Sequence, residues 1–162
     1  HRVYTNGFLF QEKIGERKLN LEAVQNLKID TCYYQNIKNG KNITLDDERV
    51  IDNKDLTFDP EVPKNYAFCS DTIYNEAIIP EILGVDVLYH ESTFLQKEEN
   101  LATKTMHTTA KQAATIALKS NVKQLVLGHY STRYESIALF KEEAETIFPN
   151  ILLADDGACF EF

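Results

Sequence analysis

Leu127-Gly128-His129-Tyr130-Ser131-Thr132-Arg133-Tyr134 is the stretch on which the reading of this chain turns. It follows residues 124–127, a short apolar run that reads as a buried strand. That strand delivers an imidazole, His129, to its carboxyl end. Two earlier runs end in the same manner. Residues 66–69 lead into Ser70-Asp71-Thr72, and residues 85–89 lead into His90-Glu91-Ser92-Thr93. In α/β sheets, ligands and reactive groups gather beyond the carboxyl ends of strands. Three endings carrying Asp, His-Glu and His suggest one shared site, and that mixture suits Zn²⁺ or another borderline divalent metal. A fourth candidate, His107, stands just before a helix.

Each of these residues also has a plainer reading. A lone histidine at a strand end is often a hydrogen-bonded structural residue. Asp71-Thr72 could open the next helix, where an aspartate suits the amino-terminal dipole. Glu91 could pair with a surface lysine, and His107-Thr108-Thr109 could be only a helix entry. The positions taken together favour a metal site. All four histidines lie at a strand end, before a helix cap or at the first residue, His1.

The surrounding pattern is α/β. Residues 110–120 form the clearest helix. Ala110, Ala113, Ala114 and Ala117 fall on one face, and Thr109 with Gln112 makes a capping-box start. Residues 75–82 and 137–148 read as further helices, and 3–10, 151–154 and 158–162 as strands. Residues 12–64 differ in texture. They are rich in Lys, Asn and Asp, carry the turn pair Asn39-Gly40, close on Pro60 and Pro63, and read as an inserted arm.

The chain has 162 residues, 43% of them apolar, which is enough for a folded domain with a core. No apolar run approaches the roughly 20 residues that cross a bilayer. Three widely spaced cysteines fit reduced thiols in a cytoplasmic protein. The net charge of −8 argues against a nucleic-acid binder taken whole. It is unevenly spread, however. Residues 11–45 hold six basic side chains, including Arg17, Lys18, Lys38 and Lys41, against four acidic ones.

Four motifs occur in order: Ala67-Phe68-Cys69-Ser70-Asp71-Thr72, His90-Glu91-Ser92-Thr93-Phe94, His107-Thr108-Thr109-Ala110 and the stretch through His129. Together they resemble the downstream motifs of ribonuclease Z within the metallo-β-lactamase fold. His1-Arg2-Val3 with Asn6-Gly7-Phe8 resembles that family's earlier histidine motif. The resemblance implies the carboxyl-terminal half of an αββα sandwich and a zinc endonuclease that trims the 3′ trailer from precursor tRNA. It implies two Zn²⁺ in a complete site, with Mn²⁺ sharing the same ligand types. Asp71 is then the bridging carboxylate, and His129 and His1 are terminal ligands. Glu91 and His107 serve proton transfer, His90 supports the site, and Arg133 contacts phosphate. Residues 1–11 are a core strand, 12–64 the tRNA-gripping exosite arm with Arg17, Lys18, Lys38 and Lys41, and 65–162 the half-domain. Tyr33-Tyr34-Gln35-Asn36-Ile37-Lys38-Asn39-Gly40 resembles the arm's central motif. A homodimer is implied as well.

Three departures stand out. The arm motif's usual Gly-Pro is replaced by Asp30-Thr31-Cys32, and the usual Gly before the bridging Asp is Ser70. Such a Ser is tolerable only if its backbone angle is not positive. The family's His-x-His-x-Asp-His signature is absent from the chain. The expectations are therefore a missing amino-terminal half, weak zinc binding and no cleavage by this polypeptide alone. An apolar sheet face should also stand open.

Overall fold

A computed structural model describes residues 3–162; His1, expected as a metal ligand, lies outside the described residues. In chain order the strands are β1 (Phe8–Gln11), β2 (Lys18–Leu19), β3 (Ile43–Thr44), β4 (Val50–Ile51), β5 (Thr57–Phe58), β6 (Asn65–Cys69), β7 (Val87–Glu91), β8 (Gln124–Gly128) and β9 (Ile151–Leu153). The α-helices are α1 (Leu21–Asn26), α2 (Tyr34–Lys38), α3 (Asn53–Leu56), α4 (Glu99–Thr105), α5 (Ala110–Lys119) and α6 (Ala138–Ala144). The chain divides into two compact units, Glu12–Pro63 and the remainder.

The larger unit is built on a sheet of order β1-β6-β7-β8-β9. β1 runs antiparallel to β6, and the other pairings are parallel. Parallel strands place their carboxyl ends at one edge, so Cys69, Glu91 and Gly128 finish side by side. Side chains alternate across the sheet. Ala67, Cys69, Leu88, Leu125 and Leu127 face a core closed by α5 and α6. The alanine face of α5 is fully buried there, and its Thr109–Gln112 capping box is formed in both directions. Small side chains let the helix backbone approach the sheet closely.

Several boundaries differ from the sequence expectation. β7 starts two residues later than expected, so His90 and Glu91 lie inside the strand rather than beyond it. Val85 is still buried in the core, which explains why the apolar run begins early. Residues 3–7, expected as part of this strand, do not extend β1. Residues 75–82 form a 3-10 helix, Glu76–Ile82, with Pro80 inside it. Its missing N–H disfavours regular α hydrogen bonding. α6 ends at Ala144 although Phe148 remains buried, so the apolar spacing outlasts the helix. Residues 158–162 are not a strand. Phe160 and Phe162 instead help line a groove of about 440 Å³ on the second sheet face, with Tyr66, Phe68, Tyr89 and Val126. The apolar face expected to stand open is thus partly overlaid by the chain's own final aromatic residues.

The smaller unit has its own core of Val24, Ile29, Ile37, Ile43 and Leu56. β2 pairs with β5 and β3 with β4, both antiparallel. Asn53, 8% exposed, knits it together. Its side-chain N–H groups donate to the Ile37 and Lys41 carbonyls at 2.6 and 3.0 Å. The turn after α2 uses Gly40 at φ +86°, where a Cβ would be strained.

Candidate metal centre

Glu91, at the end of β7, is completely buried. Its Oε1 accepts from the Thr72 N–H at 2.8 Å and from His107 Nδ1 at 2.7 Å. Its Oε2 accepts from the Thr93 hydroxyl at 2.7 Å and from the N–H groups of Thr108 and Thr93 at 3.1 and 3.3 Å. A buried carboxylate is tolerable only with such a full set of donors. The set also gathers the chain. The segments after β6, after β7 and before α5 each contribute to one side chain. The bridge between Phe94 and Thr109 and the bond from the Ser131 N–H to the Thr93 carbonyl (3.1 Å) tighten the same loops.

Asp71, His107 and His129 meet above this base. One ligand atom from each lies within 4.8 Å of the others. His129 Nε2 is 3.5 Å from Asp71 Oδ1, and the two imidazoles stack with centroids 5.3 Å apart. One carboxylate oxygen and two imidazole nitrogens form a donor set that fits a borderline divalent cation. Asp71 and His129 both hold left-handed backbone angles, φ 51° and 59°. Such conformations cost about 1–3 kcal/mol in non-glycine residues and concentrate at functional sites. Met106, just before His107, is left-handed too, at φ 61°. Ser70 is not among the positive-φ residues. The left-handed position is Asp71 itself, so loss of the glycine at 70 is sterically harmless.

Gly128 makes the approach to His129 possible. A Cβ there would run into the Tyr89 ring and hydroxyl. The Gly128 carbonyl also accepts from the Ser92 N–H at 2.9 Å, which locks the two strand ends together.

Among the described sequence candidates, Asp71, Glu91, His107 and His129 converge. His90 does not. It faces the helix side of the sheet, fully buried, with Nδ1 2.7 Å from the Glu91 carbonyl oxygen. Burial holds its pKa below the ordinary imidazole value. Its Nε2 has no hydrogen-bond partner among the described residues. Arg133 is exposed near the site, with Nε donating to Ser131 Oγ at 3.1 Å and the guanidinium 5.0 Å from the Phe94 ring centroid. Thr93 was not singled out from the sequence. Its hydroxyl touches Glu91, His107 and His129, and the only sequence signal was its place in His90-Glu91-Ser92-Thr93.

The basic residues of the smaller unit are largely engaged within it. Arg17 pairs with Asp59 and donates to Thr57 Oγ1 at 2.7 Å. Lys18 lies 2.8 Å from Glu61, and Lys38 lies 3.9 Å from Glu16. Over 12–63 the unit holds eight basic and eleven acidic residues, a net −3, so the acidic residues of 46–63 reverse the positive balance of 11–45.

No family model matches the chain. It is 46% identical over 154 residues to ribonuclease Z of Phocaeicola vulgatus, covering 95% of this chain and 50% of that protein. It is 45% identical over 157 residues to ribonuclease Z of Parabacteroides distasonis, covering 97% and 52%. The Bacteroides fragilis ribonuclease Z is 42% identical over 159 residues, covering 98% and 52%. The chain therefore spans about half the length of the curated relatives it matches. Two solved structures share the fold. One is the metallo-β-lactamase fold protein YhfI from Bacillus subtilis (TM-score 0.57, 23% identity, 60% of this chain and 40% of that one). The other is the long-form RNase Z from yeast (TM-score 0.53, 24% identity, 59% and 13%). Carrying its carboxylate–imidazole cluster on a metallo-β-lactamase scaffold, the chain is a ribonuclease Z homologue matched over half the length of those proteins.

Proposed function

We propose that this chain supplies part of the active site of a zinc-dependent endoribonuclease that removes the 3′ trailer from precursor tRNA. The observation that carries this reading is the Asp71–His107–His129 cluster seated on buried Glu91, in a chain 42–46% identical to three ribonucleases Z. Asp71 and His129 would hold metal, and His1 is proposed as a further ligand. Bound metal would lower the pKa of a water and clamp the scissile phosphate. Glu91 holds the Nδ1 proton of His107 and so turns Nε2 toward the site. Carrying a second proton there, as imidazolium and not as a metal ligand, His107 would hand that proton to the departing 3′ oxygen. Arg133 offers a fork of donors to a phosphate. Zinc is favoured by the imidazole-rich donor set, and manganese is the competing ion.

The unit Glu12–Pro63 is proposed as the arm that grips the tRNA. Arg17, Lys18 and Lys38 would exchange carboxylate partners for phosphates, and Lys41 would join them. Exposed ion pairs are weak enough for such an exchange. A homodimer and a cytoplasmic location belong to the same reading.

The test is metal analysis and precursor-tRNA cleavage by the full-length protein, with His129→Ala and Asp71→Asn beside it. Stoichiometric zinc is expected in the parent, with less zinc and a loss of cleavage in both variants. Deleting residues 17–41 should abolish tRNA cleavage and spare hydrolysis of a small phosphodiester. Full turnover of precursor tRNA by the 162-residue chain alone would contradict the expectation that it lacks part of the site.

A further inference from the structure

We infer that Thr93 is a positioning residue whose hydroxyl couples the buried Glu91 carboxylate to His129 and fixes the His129 proton on Nδ1, so that Nε2 presents its lone pair to the metal cluster. The inference deepens the proposed metal site and rests on that reading for its purpose.

The argument is one of donors and acceptors. Glu91 receives three backbone N–H groups, from Thr72, Thr93 and Thr108. Backbone N–H groups can only donate, so both Glu91 oxygens act as acceptors. The Thr93 hydroxyl lies 2.7 Å from Glu91 Oε2 and 2.8 Å from His129 Nδ1. It has a single proton to give. Given to Glu91, that proton makes a charge-assisted bond, roughly twice as strong as a neutral one. Without it, Oε2 would keep only its longer bonds of 3.1 and 3.3 Å in a site closed to water. The hydroxyl therefore faces His129 as an acceptor, and Nδ1 must carry the hydrogen. The 3.3 Å approach to His107 Nδ1 does not compete, because that nitrogen is already 2.7 Å from Glu91 Oε1.

The consequence lies on the other side of the ring. With Nδ1–H bound to Thr93, Nε2 has a lone pair, and it is the atom 3.5 Å from Asp71 Oδ1. Outer partners that fix the tautomer and aim of an imidazole in this way typically contribute 10–100-fold to metal affinity. Thr93 is itself rigid. It is 7% exposed, and its carbonyl is held by the Ser131 N–H. One carboxylate thus reaches both imidazoles, His107 directly and His129 through a hydroxyl.

The test uses the full chain with ¹⁵N-labelled histidine rings, free of metal and in mildly alkaline solution, together with zinc titrations of the full-length protein. Thr93→Val keeps the shape and removes the hydroxyl; Thr93→Ser keeps the hydroxyl. His129 should show a protonated Nδ1 and an unprotonated Nε2 in the parent and in Thr93→Ser, and a mixed or reversed pattern in Thr93→Val. Zinc affinity should fall about 10–100-fold in Thr93→Val and stay within a few-fold in Thr93→Ser. A parent His129 protonated on Nε2 overturns the inference whatever the variants do, so a Thr93→Val protein that fails to fold cannot shield it. An unchanged tautomer in a folded Thr93→Val overturns it equally. Absence of zinc binding by the parent would instead defeat the proposed function, while the tautomer assignment would stand on its own spectrum.

Discussion

Glu91 Oε1 stands 2.7 Å from His107 Nδ1, and the same carboxylate is completely buried among backbone N–H donors. The pair is therefore preorganised by the fold rather than by substrate. Glu91→Gln tests this. Whichever way the amide is turned, its NH₂ meets a backbone donor: Thr72 on one side, Thr93 and Thr108 on the other. A donor facing a donor in a closed site costs about 1–3 kcal/mol. The variant should lose roughly that much in denaturant unfolding, and cleavage by the full-length protein should fall on the order of 10²–10⁴-fold. An unchanged denaturation midpoint would show that the donors do not converge as described.

The convergence of Asp71, Glu91 and His129 was legible because parallel strands bring their carboxyl ends to one edge, and each strand was visible as an apolar run. The capping box at Thr109 was legible because both partners are local. What could not be read was set by distant partners. The Thr93 hydroxyl meets His129 across 36 positions. Arg17 and Lys18 meet Asp59 and Glu61 only because β2 pairs with β5, which turns an apparently basic segment into an ion-paired one. The offset of β7 had a different cause. Val85 is buried like a strand residue, yet pairing with β6 begins at Val87 opposite Tyr66.

Gly128→Ala should damage the site without touching a candidate ligand. The new methyl would strike the Tyr89 ring, which is stacked on Phe68 with centroids 4.7 Å apart and would have to give up that stacking to move into the groove it lines. Overpacking of this kind costs about 1–3 kcal/mol. Displacement of Gly128 should also move His129 and weaken metal binding. A thermal melt and a zinc titration check the two effects. A variant that melts and binds like the parent would mean that Tyr89 yields freely.

Asn53→Ala should loosen the unit Glu12–Pro63. Its side chain satisfies the Ile37 and Lys41 carbonyls and accepts from the Thr57 hydroxyl at 3.0 Å. The Ile37 bond is buried, and stranding that carbonyl costs about 1–3 kcal/mol. Amide exchange should quicken within 12–63, and limited proteolysis should cut there first. Equal acceleration throughout the sheet of the larger unit would contradict the division into two compact units.

Tyr134 gives a pH dependence with a defined sign. Its hydroxyl donates to Glu98 Oε2 at 2.6 Å and accepts from the Leu95 N–H at 3.0 Å. Burial first, and the Glu98 bond second, push its pKa up to about 12. An unfolded tyrosine titrates near pH 10. Because the folded value is the higher, the stabilisation is fully present below about pH 10 and is lost as pH rises toward about 12. Tyr134→Phe should cost about 1 kcal/mol at neutral pH, from the lost hydrogen bonds. Tyr66, Tyr74, Tyr89 and Tyr130 are raised as well, so the parent's alkaline fall will not vanish. The informative quantity is the difference between the two unfolding curves. It should be constant up to about pH 10 and shrink beyond it; a difference that grows with alkalinity would assign the Tyr134 proton the wrong way.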